Sequence, residues 1–216
     1  MISRQKAIVA KHGEFIDINN QRLKASIVES TKATYSMAGR AYFVQGQVFK
    51  GKPEIKVGDY FKRKVDNNTY FINTLLPEPQ AEDLYFMYAV MCNATISIYR
   101  TVESIRNEYG DKESKTNLMN KDVCCYLDVS TRSNKSTNDG MIDQSIYTLM
   151  LPHKFMLSEG DNITSPMNID GKTGIGIFRV ESIGSQVIGI DMAQLLLIGK
   201  KGKWRRKHLN STLQKQ

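Results

Sequence analysis

The sequence predicts an all-β protein made of two tandem small β-barrel-like domains, with a short N-terminal helix and a basic C-terminal tail. Three observations predict it. From residue 13 onward helical spacing is lost, and short runs rich in Val, Ile, Tyr, Phe and Thr alternate with Gly, Asn, Asp and Pro clusters. These runs fall into two sets that resemble each other in order, which favours a duplicated unit over two unrelated β domains that share common turn chemistry. A chain of 216 residues accommodates one large domain or two small ones, each with its own core.

The elements follow from the local pattern. Ile2, Ala7, Ile8, Val9 and Ala10 among Arg and Lys suggest a helix ended by His12-Gly13. The first set of strands is expected at 14–18, 23–29, 41–48, 59–63, 69–75 and 84–99. The second is expected at 123–129, 145–151, 162–164, 174–183, 186–191 and 193–198. Arg106 to Asn117 is polar and almost free of apolar residues, and reads as a linker or exposed loop. The expected boundaries are a helix over 1–12, a first barrel over 13–105, a linker over 106–120, a second barrel over 121–199 and a tail over 200–216. Two stretches read as loops that are mobile in the free subunit and order against neighbours: Ser130 to Asp139, and the Pro-stiffened acidic Pro77 to Asp83.

The two sets align segment by segment. Leu23–Glu29 corresponds to Val123–Val129, and Arg40–Val48 to Ser145–Leu151. Val57-Gly58-Asp59-Tyr60-Phe61 matches Glu159-Gly160-Asp161-Asn162-Ile163. Thr69–Asn73 matches Gly176–Val180, and each half closes on a long apolar segment.

Composition narrows the chemistry. No apolar stretch approaches the roughly 20 residues of a membrane helix, and the N-terminal apolar patch is too short for a secretory signal, so a protein made in the cytoplasm, with no membrane partner, is expected. Cys92, Cys124 and Cys125 cannot form a disulfide framework and read as buried small hydrophobes. His12, His153 and His208 have no Cys or carboxylate at ligand spacing. Gly171-Lys172-Thr173-Gly174-Ile175-Gly176 lacks the upstream glycine and following helix of a phosphate loop, and reads as a hairpin. The expectation is no catalytic, cofactor-binding or metal-binding residue, and no enzyme.

Charge is concentrated at one end. Seven of the 30 cations and none of the 22 acids lie in residues 200–216, which leaves 23 cations against 22 acids in the body. Lys200, Lys201, Lys203, Trp204, Arg205, Arg206 and Lys207 join six cations to the only Trp, which suits contact with nucleic-acid phosphates or docking in a partner. A second candidate surface is aromatic. Tyr60, Phe61, Tyr70, Phe71, Tyr85, Phe86 and Tyr88 suggest a base-stacking platform, but they come in adjacent pairs, one facing in and one out, so core plus ordinary surface is the favoured reading.

Three stretches carry a family resemblance: Val57-Gly58-Asp59-Tyr60-Phe61, then Asn68-Thr69-Tyr70-Phe71-Ile72-Asn73-Thr74, then Tyr88-Ala89-Val90-Met91-Cys92-Asn93-Ala94-Thr95-Ile96. Over about residues 13 to 100 the chain resembles head-closure (stopper) and related neck or tail-completion proteins of tailed bacteriophages that infect Gram-positive bacteria. The resemblance implies a non-enzymatic virion β-barrel subunit, made in the host cytoplasm. It would form a homo-oligomeric ring at the head-to-tail junction, with portal, connector and tail proteins as partners. The basic tail would then face packaged DNA or a protein neighbour. Members of that family usually have one barrel, and the second barrel here departs from the pattern. Two alternatives are a single-stranded nucleic-acid-binding protein built on oligonucleotide-binding barrels and a phage tail or baseplate component.

Overall fold

The computed structural model describes residues 4–29, 43–106, 112–137, 140–169, 172–187 and 189–201. Helix α1 (Arg4–His12) is followed by two closed six-stranded antiparallel barrels. The first comprises β1 (Glu14–Ile18), β2 (Gln21–Glu29), β3 (Phe43–Phe49), β4 (Tyr60–Arg63), β5 (Thr69–Pro77) and β6 (Leu84–Met91). The second comprises β7 (Ala94–Arg106), β8 (Lys112–Thr137), β9 (Gly140–Pro152), β10 (Asn162–Ile169), β11 (Lys172–Val187) and β12 (Ile190–Lys201).

The strand order around the first barrel is β1-β2-β3-β6-β5-β4, closed by β1 on β4. Around the second it is β7-β8-β9-β12-β11-β10, closed by β7 on β10. The two orders are the same path shifted by six strands. Period-2 alternation fills each interior. Ile16, Ile18, Phe61, Tyr70, Ile72 and Met87 point into the first barrel; Ile96, Ile98, Ile163, Phe178, Val180 and Leu195 point into the second.

The likeness extends to single hydrogen bonds. Before β4, Gly58 N–H donates to Ile72 O, Asp59 N–H to Lys56 O, and Ile72 N–H to Asp59 O, while the Asp59 carboxylate accepts from Lys56 N–H. Before β10, Gly160 donates to Val180, Asp161 to Ser158 and Val180 to Asp161, and the Asp161 carboxylate accepts from Ser158 N–H. Both glycines sit at positive φ, +87° and +83°, a backbone region that costs any residue with a Cβ about 1 kcal/mol or more. The Gly-Asp step therefore recurs because one turn recurs.

The barrels meet directly. The run expected as one strand over 84–99 is two strands, interrupted at Cys92-Asn93. Cys92 N–H donates to Thr69 O in the first barrel and Asn93 N–H to Cys125 O in the second. The Asn93 amide then accepts from Leu127 N–H and donates to Leu127 O at 2.8 and 2.9 Å, so one side chain imitates a strand residue and fixes the crossing. The boundary lies here rather than at 106–120. Arg106 ends β7 and residues 112–117 lie in β8, and the ladder between the two strands runs to the Arg106↔Lys112 pair. Ser130–Asp139, expected as a loop, likewise continues β8 as far as Thr137, paired to Gly140. In both places the ladder supplies the backbone with partners that the polar side chains did not advertise.

At the other end of the first barrel, α1 buries Val9 against Ala81, Leu84 and Phe49. Gln5 bonds Gln80, Lys6 pairs with Asp83, and Gln47 donates to Glu78. The acidic 77–83 loop is thus held by the helix and by its own turn, Ala81 N–H donating to Glu78 O and Leu84 N–H to Ala81 O.

Candidate functional site

The most elaborate constellation lies where the barrels join. Outward residues of the first barrel, Phe43, Phe71 and Val90, are buried against Tyr126, Met150 and Ile190 of the second, with Val57, Tyr60, Cys92 and Met192 around them. The adjacent aromatic pairs explain themselves here. Phe61 and Tyr70 stack inside the barrel at 5.3 Å, whereas Tyr60 and Phe71, one residue away on the same strands, meet edge to face at 6.2 Å in the junction. The favoured reading of core plus ordinary surface is corrected at Tyr60 and Phe71, which the other barrel covers, and stands at Phe86 and Tyr88, which are half-buried.

Tyr60 also donates its hydroxyl to Cys124 O at 2.6 Å, and Lys154 lies 4.8 Å above its ring. Burial drives the Tyr60 phenol far above its usual range, with the nearby Cys92, Cys125 and Cys124 thiols adding to the effect. Burial, then Cys124, pushes the Cys92 thiol up to about 12. Cys125, in the second core, is raised well above the ordinary thiol range, by burial first and then by Cys92 and Cys124. Cys92 and Cys125 are therefore neutral thiols that pack as small hydrophobes, as expected from the sequence.

Two polar clusters brace the ends of the barrels. Arg63 reaches Glu14 at 2.8 Å and Asp66 at 3.4 Å, and Tyr70 donates its hydroxyl to Asp66 at 2.6 Å. Burial alone would raise the Asp66 carboxyl, but the bonds from Tyr70 and Asn68 N–H, with the Arg63 charge, hold it below its ordinary value. In the second barrel Arg100 forks onto the buried Asp161 carboxylate with two 2.8 Å bonds, and gives a third to Met156 O. The bond to Asp161 raises the Arg100 guanidinium against the opposing effect of desolvation.

Beyond these clusters the surface is uneven. The β7–β8 arm exposes Val102, Leu118 and Met119 by about half each, at 49%, 50% and 47%. On the outer face of β1 and β2, the exposed Phe15 ring has the Arg22 guanidinium at 4.4 Å and the Lys24 ammonium at 5.5 Å. Lys62 stands beside them, paired across the ladder with Asp17. This aromatic and basic patch was not singled out in the sequence. Its only signal is the two-residue register that places Arg22 and Lys24 on the same face as Phe15.

His153 Nδ1 lies 2.8 Å from the buried Asp191 carboxylate, a pairing between residues 38 apart that spacing did not reveal. Among the described residues no group of three or more His, Cys, Asp or Glu comes together as a metal site, and no helix is long and apolar enough to cross a membrane. Of the 171–176 segment, residues 172–176 lie in β11, whose ladder with β10 runs to the Ile169↔Lys172 pair, and Gly171 lies outside the described residues. Of the basic residues expected to act, Lys200 and Lys201 end β12 opposite Gly176 and Ile175. Lys203, Trp204, Arg205, Arg206 and Lys207 lie outside the described residues, as do residues 30–42.

No family model matches this chain, and no curated protein and no solved structure matches it.

Proposed function

We propose that this chain is a non-enzymatic structural subunit that assembles with copies of itself into a ring at the head-to-tail junction of a tailed bacteriophage, against portal, connector and tail neighbours. The observation that carries the reading is the pairing of two docked barrels with a long two-stranded ladder that carries half-exposed apolar side chains. Two barrels of one topology are fastened by an apolar junction, while the β7–β8 ladder projects with half-exposed Val102, Leu118 and Met119. Apolar side chains on a projecting ladder are costly in water and stabilising against a neighbour. The basic segment Lys200–Lys207 would face packaged DNA or an acidic partner of that ring. Electron microscopy and native mass spectrometry of the purified full chain test this. Closed rings of one stoichiometry support it, and a strictly monomeric chain at all concentrations overturns it.

A second reading, binding of single-stranded nucleic acid, is favoured by the Phe15, Arg22 and Lys24 patch, which offers one ring for stacking beside two phosphate-seeking cations. It predicts oligonucleotide binding that weakens steeply with salt and is lost in Phe15→Ala combined with Arg22→Gln.

A further inference from the structure

The contact between the barrels of one chain joins unlike faces of two like bodies. The first barrel contributes the outward row Tyr60, Phe71, Val90 across β4, β5 and β6. The second contributes the outward row Tyr126, Met150, Met192 across β8, β9 and β12. Because the barrels share one topology, each of these faces has a counterpart on the other barrel, and strand register alone identifies it.

The counterpart of Tyr60, Phe71 and Val90 is Asn162, Arg179 and Leu196 across β10, β11 and β12. The match is anchored by the two Gly-Asp turns, which pair Ile72 with Val180 in the same bond pattern. The counterpart of Tyr126, Met150 and Met192 is Ser26, Gln47 and Phe86 across β2, β3 and β6, continued onto β5 by Leu76. The anchor in this case is the pairing of Ala25 with Val48 and Glu14, against that of Cys125 with Ala94.

Within one chain these counterpart faces look outward and do not meet each other. Arg179 is exposed and Leu196 half-buried, with Ile198 beyond it 52% exposed. Phe86 is half-buried edge to face against Tyr88, and Leu76 and Val28 are 52% and 55% exposed. Charge complementarity is local, since the barrels as wholes are nearly neutral: residues 14–91 hold 10 cations and 9 acids, and 94–201 hold 12 and 13. The cation Arg179 marks one face, and the Glu78 carboxylate, bonded to Gln47 at 2.8 Å, borders the other.

From this geometry we infer that copies of the chain join head to tail. The Arg179–Leu196 face of the second barrel in one copy seats on the Gln47–Phe86–Leu76 face of the first barrel in the next, repeating the arrangement the two barrels already have within a chain. The inference rests on the reading of the chain as a self-assembling subunit and specifies its interface. Such a contact is heterologous: each copy offers one face of each kind, so assembly continues until the rotation closes a ring. A ring built this way alternates first and second barrels, with the covalent junction and the subunit interface as near-equivalent contacts.

The test uses two variants of the full chain, each with one face spoiled. Leu196→Asp alters only the second barrel and Phe86→Asp only the first. Arg179→Glu and Leu76→Asp are fully outward alternatives should either of the first pair unfold by circular dichroism. Sedimentation velocity reads the mass. The wild type is expected as closed oligomers and each variant alone as the 24.5 kDa monomer, association being weakened about 100-fold or more by a carboxylate buried in an apolar contact. An equal mixture of the two variants is expected to form dimers and nothing larger, because one intact face of each kind remains. Variants that assemble like the wild type, or a mixture that stays monomeric, overturn the interface while leaving self-assembly standing. A wild type that never assembles overturns both.

Discussion

Replacing Phe71 by Ala separates the stability of each barrel from that of their junction. Phe71 is fully buried, yet it points away from its own barrel interior and is covered by the second barrel. An aromatic side chain buries about 150–250 Å². At about 25 cal/mol/Å², with part of the site collapsing, its truncation should cost about 3–5 kcal/mol. The edge-to-face contact with Tyr60 contributes about 1 kcal/mol of that. The cost should fall on the docked state, because the first interior, with Phe61 stacked on Tyr70, is untouched. Urea denaturation followed by circular dichroism should therefore show one cooperative transition in the wild type and two in Phe71→Ala, each barrel unfolding on its own. A cycle with Met150→Ala, across the junction, should show coupling of about 1 kcal/mol or more. A single transition with a loss below about 1 kcal/mol, or strict additivity with Met150→Ala, would refute the view that Phe71 acts between barrels.

Three further outcomes follow from the polar clusters and turns. Arg100→Ala strips the fork from a carboxylate that is only 2% exposed and should lower stability by about 2–3 kcal/mol in a thermal melt, with Lys restoring only part. Asp66 titrates below its ordinary 3.8 when folded, so the unfolded chain binds that proton more readily. Its contribution is complete above that value and disappears as pH falls through the lower folded one. The deficit of Asp66→Asn, about 1 kcal/mol at pH 7, should therefore shrink in unfolding measured at pH below the ordinary 3.8, and an unchanged deficit would refute the assignment. Gly58→Ala and Gly160→Ala share the positive-φ strain of about 1 kcal/mol. Only at Gly58 does the added Cβ meet a neighbour across the junction, Pro152 at 3.1 Å, with nothing within 4 Å at Gly160. Gly58→Ala should thus be the more damaging of the two by calorimetry.

The all-β class, the N-terminal helix and the repeated order of segments were legible because they depend on local signals: period-2 alternation, the Gly-Asp step and the His12-Gly13 stop. The barrel boundary was not. Leu84 to Tyr99 is apolar on alternate residues throughout, and the break at Cys92-Asn93 depends on an Asn amide bonding a strand residue 34 positions away. Polarity misled in the arms for a related reason. Glu103 with Ser114 and Arg132 with Ser145 pair through backbone groups, and backbone pairing by itself asks nothing apolar of the side chains. The outward aromatics Tyr60 and Phe71 showed their facing in the sequence but not what covers them, since a docking face of a domain has the same alternation as a solvated one. The Phe15 patch and the His153–Asp191 pair arise from register and tertiary approach, for which single-sequence patterns hold no signal.

The two Gly-Asp turns show where the copies diverged and why the divergence is informative. In the first barrel the Asp59 carboxylate accepts from Asn19, which with Asn20 makes the tight turn between β1 and β2, both at positive φ. In the second barrel the ladder register places Arg100 at the counterpart of Asn20, and it is Arg100 that holds Asp161. A two-residue turn ends β1 at Ile18, whereas β7 runs on to Arg106. The long cation therefore stands where the short hairpin ended, tying the root of the arm to the one turn both barrels keep. Interiors and turns were conserved in kind between the halves, while hairpin length was not. An extended hairpin adds no core and loses chain entropy for every residue it orders. Under the proposed assembly its gain in free energy comes from contacts made outside the barrel, where Val102, Leu118 and Met119 are half-exposed.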